Sequence, residues 1–273
     1  MTFFLHDNFD SKESFEPASA SITSSQIKTS ACEEFHLFAE KLMIPQTEGV
    51  VRRPRLFDMI DRSLLQFGAT LLNGRSGTGK TALAADYART SGNTAWYTVE
   101  NADTDWNVFR RYFAASIHDA LGSPESARSE PRQDGEVSQD GEVSKVAVAK
   151  FLADLFARVD SNFRKDRLII ILDDLHRIFD APWFDVFFEI LLYSLRENTQ
   201  LLLLCRSRPP SPLWRLRSKQ MLNVIDEKLL AFNEAETAEF FKSNGLSKKS
   251  ARVAYAESFG RISKVLQLAR SRR

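Results

Sequence analysis

The apolar run Ala69-Thr70-Leu71-Leu72 leads through Asn73 into Gly74-Arg75-Ser76-Gly77-Thr78-Gly79-Lys80-Thr81, and residues 81–88 are then good helix formers. No other stretch of the 273 residues restricts the fold as tightly. A buried strand, a glycine-rich turn and a helix in that order aim backbone N–H groups and a helix N-terminus at one point, which makes an anion site. Gly74, Gly77 and Gly79 let the backbone close around phosphate oxygens with no Cβ in the way, while Arg75, Ser76 and Thr78 supply the rest of the loop. Lys80 is placed to reach the β- and γ-phosphates, and the Thr81 hydroxyl to ligate Mg²⁺. The pattern implies a protein that binds a nucleotide.

Around this loop, strand-like and helix-like segments alternate. Short apolar runs predict strands over 69–73, 94–99, 167–173, 200–206 and 221–226, mostly dense enough in apolar residues to be covered on both faces. Helical patterns fall over 54–66, 81–90, 105–121, 146–162 and 182–197. Alternation of this kind calls for right-handed crossovers and a mainly parallel five-stranded sheet. The expected fold is therefore α/β, a three-layer P-loop NTPase sandwich. After Phe232 the pattern becomes helix only, at 234–243, 247–258 and 260–270, which reads as a small all-helical subdomain over 232–273. Residues 1–40, rich in Ser, Thr, Ala and Glu, read as a largely disordered leader to an NTPase domain over 41–231. Within that domain, Gln-Asp-Gly-Glu-Val-Ser occurs twice in tandem at 133–138 and 139–144, inside what reads as a flexible, solvated insert over 122–145.

Composition closes off several other classes. A formal net charge of +1 gives no overall drive towards nucleic acid or an anionic membrane. The short basic runs near 242–249 and 270–273 read as solvated helix faces rather than a DNA-reading surface. The two cysteines, Cys32 and Cys205, have no metal-site or disulfide spacing, and Cys205 after Leu201-Leu202-Leu203-Leu204 reads as a small core residue. A cytoplasmic protein without a membrane span is expected.

A second chemical signal is Leu168-Ile169-Ile170-Ile171-Leu172-Asp173-Asp174-Leu175-His176. A strand that runs into an acidic pair delivers carboxylates to the sheet edge where ligands bind in open α/β folds. Asp173 is expected to support the Mg²⁺ shell and Asp174 to polarise the water that attacks the γ-phosphate. His176 is equally well explained by a bland hydrogen bond, and it stays outside the catalytic set. A third signal is Arg206, with Arg208 close behind, just past the run 201–204, where a guanidinium can meet the γ-phosphate. Lys80, Asp174 and Arg206 thus form the expected catalytic group.

Across about residues 41–270 the chain resembles the nucleotide-binding domain of the STAND NTPases, in particular the MalT-like (LuxR-type) group of bacterial transcriptional regulators. The blocks that carry the resemblance come in the same order: Lys41-Leu42-Met43-Ile44-Pro45 with Val50-Val51-Arg52-Arg53-Pro54-Arg55-Leu56, the phosphate loop, 95–99 with Asp103 and Asp105, Asp173-Asp174-Leu175-His176, and Arg206-Ser207-Arg208-Pro209-Pro210. The resemblance implies ATP or ADP with Mg²⁺ as cofactors, Arg53 near the adenine end of the nucleotide, and Arg206 as the arginine that senses the γ-phosphate. It also implies a protein partner and self-association that depends on the nucleotide. The group's Gly-x-Pro appears here as Gly260-Arg261-Ile262-Ser263, without proline, which places its contact with the base in question. The repeat and helix-turn-helix domains that follow in the group have no counterpart in these residues. The expectation is a slow ATP-hydrolysing switch for signal transduction, related to transcription, or alternatively a hydrolysis-deficient nucleotide-binding scaffold. A small-molecule kinase is the weaker third possibility, because an acidic pair suits water and no second substrate site is evident.

Overall fold

The computed structural model describes residues 38–47, 51–122, 142–162 and 167–272. In chain order these form α1 (Pro54–Phe67), β1 (Ala69–Asn73), α2 (Lys80–Thr90), β2 (Thr94–Thr98), α3 (Trp106–Ala120), α4 (Lys145–Asn162), β3 (Leu168–Asp173), α5 (Phe184–Ser194), β4 (Thr199–Cys205), α6 (Ser211–Ser218), β5 (Leu222–Ile225), α7 (Glu227–Leu230), α8 (Glu234–Ser243), α9 (Lys248–Ser258) and α10 (Ile262–Arg270). The five strands make one parallel sheet in the order β2-β3-β4-β1-β5.

The apolar runs are strands because every residue in them is covered. Leu168, Ile170 and Leu172 face a core shared with α3, α4, α5 and α6, while Ile169 and Ile171 face the core under α1 and α2. That alternation makes the three layers. The first core is dense in rings: Phe109 lies 4.4 Å from Trp183 and 5.0 Å from Phe187, and Trp106 lies 5.5 Å from Trp183. Such interlocked rings hold neighbouring helices in fixed register through both area burial and edge-to-face attraction.

At the other side of β2, a 3₁₀ turn at Ala39–Lys41 is tied down by charge. The Lys41 ammonium donates to Asp103 at 2.7 Å and lies 3.1 Å from Glu100. Helices α8, α9 and α10 enclose a third core of Phe232, Phe240, Phe241, Ala251, Ala254, Ile262 and Val265, with Val51. Asn233 and Glu236 cap α8 reciprocally, and Ser247 caps α9.

Three expectations need correction. The helix expected over 182–197 is shorter, Phe184–Ser194, since Leu195 turns extended at ψ 134°. The run Pro209-Pro210-Ser211-Pro212 looked like pure punctuation, yet α6 begins within it. Proline is tolerated in a first helical turn, where its missing N–H has no partner to lose, and Leu213 and Leu216 are buried. The insert is also shorter than 122–145 at its end: Val143 is buried in the first core and Ser144 Oγ accepts from Ala147 N at 3.1 Å, capping α4. The leader over 1–37 and residues 123–141 of the insert lie outside the described residues.

Candidate nucleotide site

Strand order assembles the site. Because β4 lies between β1 and β3, the segments that leave these three strands, at Gly74, Arg206 and Asp174, emerge side by side at the carboxyl edge of the sheet. The connection after β1 runs to β2 and that after β4 runs to β5, in opposite directions, so a crevice opens between them.

Gly77 and Gly79 adopt φ of 79° and 75°, which residues with a Cβ rarely take. Gly79 caps α2, so Lys80 is its first residue. The Lys80 ammonium donates to the carbonyls of Gly74 at 2.5 Å and Arg75 at 3.1 Å, and to Thr78 Oγ1 at 3.2 Å. Thr78 Oγ1 donates in turn to the Arg75 carbonyl. Burial holds the Lys80 pKa below its ordinary value, although the Asp173 and Asp174 carboxylates oppose the shift. Ser76 is exposed at the loop's tip. Arg75 points outward, where its guanidinium and its own backbone N–H all meet the Glu227 carboxylate of α7.

Asp173 ends β3 almost fully buried, and its carboxyl is pushed up by that burial against the lowering effect of a hydrogen bond from Thr81. Two oxygen ligands on adjacent elements, one a carboxylate and one a hydroxyl, fit a hard divalent cation such as Mg²⁺. Asp174 sits in the left-handed region at φ 55°, with its N–H bonded to Asp173 Oδ1 at 2.9 Å. Arg206 grips its carboxylate with both prongs: Nε to Oδ1 at 2.9 Å and Nη2 to Oδ2 at 2.8 Å. Arg177 Nε adds a looser contact at 3.6 Å. His176 Nδ1 lies 4.0 Å from Asp174, too far for a hydrogen bond, and burial lowers its pKa. It therefore contributes no charge near neutral pH.

Arg53 is brought to the loop from behind. It is buried, with Nη1 on the Leu230 carbonyl at 3.0 Å and Nη2 on that of Gly79 at 3.2 Å, and burial draws its pKa down to about 10. Arg208 instead opens onto a cavity of about 330 Å³ shared with Asn73, Gly74, Arg206 and Lys228.

Two contacts escaped the sequence. The first turn of α10 braces the loop: Ser263 N donates to the Gly77 carbonyl at 3.2 Å, and a Cβ on Gly79 would lie 2.9 Å from Ile262 Cδ1. Ile262 occupies the place where a proline was expected. Glu227 grips Arg75 from a four-residue helix that no periodicity marks, although an acidic residue just past an apolar strand was a visible signal.

The family profile of the AAA ATPase domain matches residues 53–205, from the arginine behind the loop to the last residue of β4. The chain belongs to that family. Within it, the domain is 30% identical over 213 residues to the HTH-type transcriptional regulator MalT of Yersinia pestis, covering 76% of this chain. It is 28% identical over 211 residues to the MalT of Yersinia enterocolitica, covering 75% of this chain. The chain spans 22% of the length of these relatives. Among solved structures it is similar to a Walker-type ATPase of Pyrococcus abyssi, at 11% identity and a TM-score of 0.47 over 82% of this chain and 68% of that one. Among the described residues, no helix is long and apolar enough to cross a membrane.

Proposed function

We propose that this AAA domain is a cytoplasmic, ATP-binding switch of the STAND type, which hydrolyses ATP slowly and changes its affinity for a protein partner, or for its own copies, in a process related to transcription. The observation that supports it most is the convergence of Lys80, the Asp173–Asp174 pair and Arg206 from three neighbouring strand ends. In this reading Gly74, Arg75, Ser76, Gly77, Thr78 and Gly79 wrap the phosphates with their N–H groups, and Lys80 exchanges its loop carbonyls for phosphate oxygens. Thr81 and Asp173 hold Mg²⁺, which when bound withdraws charge from the phosphoryl oxygens. Asp174 takes the proton of the attacking water, and Arg206 neutralises charge at the terminal phosphate. Arg53 acts at the nucleotide's other end by fixing Gly79 rather than through free donors. The similarity to MalT supports the regulatory part of this reading.

A second reading, a nucleotide-binding scaffold without hydrolysis, has one observation in its favour: both oxygens of Asp174 are taken by Arg206. Single-turnover release of phosphate from ATP·Mg²⁺, run beside Asp174→Asn and with the bound nucleotide identified after extraction, separates the two. Slow release that disappears in the variant supports the switch. Tight binding with no release from either protein leaves the scaffold.

A further inference from the structure

The Arg206–Asp174 pair does more than join two strand ends. The guanidinium fork satisfies both carboxylate oxygens, and its owner is the more accessible partner: the Arg206 side chain is 42% exposed against 12% for Asp174. The carboxylate is the fixed member. It is pinned by a left-handed backbone, by the bond from its N–H to Asp173, and by Arg177 at 3.6 Å, which itself reaches Asn101 at 3.3 Å. Arg206 is the mobile one. Its departure would leave Asp174 still accompanied by Arg177, with one face of the carboxylate open.

We infer that this pair makes the site select a nucleoside diphosphate over a triphosphate, with Arg206 as the specificity-determining side chain. The inference rests on the nucleotide site proposed above. A diphosphate that ends within the loop 74–81 leaves the pair intact. A triphosphate carries a further anionic group beyond Lys80, towards two carboxylates whose nearest free cation is already engaged. It gains Arg206 only by parting it from Asp174, and its apparent affinity falls by the fraction of molecules in which the pair is open. The same exchange leaves Asp174 available to water only when a third phosphate is present. Charge-assisted, two-pronged bonds of a partly exposed pair set the handicap at about 10-fold.

The test is direct binding of ADP and of a non-hydrolysable ATP analogue, each with Mg²⁺, to the full chain and to Asp174→Asn, Arg206→Gln and the double variant. Asp174→Asn is expected to raise the triphosphate-to-diphosphate affinity ratio by about 10-fold, because asparagine cannot hold the fork with charge. In the Arg206→Gln background that gain is expected to vanish. A gain that survives without Arg206 would mean simple repulsion between Asp174 and the phosphate, and it overturns the inference. An unchanged ratio in Asp174→Asn overturns it as well. Should either variant unfold, Arg206→Lys provides the same reading, since a single-point cation loosens the pair while keeping the charge and is expected to raise the ratio several-fold. An unchanged ratio there sinks the selector. Failure of the unaltered chain to bind either nucleotide would instead remove the proposed function itself, and the selector with it.

Discussion

Gly260 joins α9 to α10 and decides whether the loop keeps its brace. Its φ is 74°, and its carbonyl accepts from Phe232 N at 2.9 Å. A Cβ built there lies 1.9 Å from the Phe232 carbonyl oxygen and 3.1 Å from its nitrogen. Non-bonded heavy atoms prefer about 3.5 Å, so the backbones must part by more than about 1 Å. The left-handed backbone costs an alanine about 1 kcal/mol. Overpacking of this kind adds about 1–3 kcal/mol, and the strained Phe232–Gly260 bond about 1 kcal/mol more. Gly260→Ala should therefore destabilise by roughly 3–5 kcal/mol. Gly245 is the natural control: its φ is 72°, and nothing lies within 4 Å of its Cβ position. Gly245→Ala carries only the backbone cost, about 1 kcal/mol. Urea denaturation of both variants, monitored with nucleotide binding, reads the difference. Gly260→Ala should also weaken nucleotide binding by displacing Ile262 and Ser263 from the loop, and Gly245→Ala should not. Equal destabilisation by the two would refute the steric argument.

Lys80→Ala removes the cation that spans the loop and should cost about 2–5 kcal/mol of binding, or roughly 30-fold or more in nucleotide affinity; unaltered affinity by calorimetry would discard the site. The Glu227 carboxyl is held below its ordinary 4.5 chiefly by the hydrogen bond from Arg75. A depressed carboxyl stabilises the fold above its unfolded value and loses that contribution as pH falls through the folded one. The melting-temperature difference between the unaltered chain and Glu227→Gln should thus be steady near neutrality and close below about pH 4.5; a gap that widened on acidification would contradict the assignment. Phe187→Ala opens a hole among the rings of α3 and α5 and should cost about 3–5 kcal/mol, with the preference between ADP and ATP left as it was. A changed preference would mean that the ring core is coupled to the site.

The parts of the fold that were legible in the sequence are those in which one segment settles its own environment. Residues 168–173 can only be a buried strand, and the glycines of the loop can only serve a turn, so the sheet and the convergence of Lys80, Asp173, Asp174 and Arg206 could be anticipated. What could not be read depends on distant partners. Arg53 sits beside its family block in the sequence, but the carbonyl it serves belongs to Leu230, 177 residues away. Ile262 and Ser263 reach the loop only because Gly260 turns against Phe232. The helix α6 was hidden by prolines that end most helices but can also begin one. The fork between Arg206 and Asp174 joins two residues that were each assigned a ligand, and pairing between them is a matter of strand order rather than of local pattern.

The ring core has an optical consequence. Of the four tryptophans, Trp106 and Trp183 lie within it, and Trp96 is buried between β2 and the α1–α2 layer. Only Trp214, on α6 under the Arg217 guanidinium at 5.1 Å, is partly open to water. None lines the phosphate loop. The intrinsic emission of this chain should therefore be blue, dominated by its interior, and sensitive to unfolding. It should be nearly silent about a ligand in the loop, so that a dye or a labelled nucleotide is needed to watch the site.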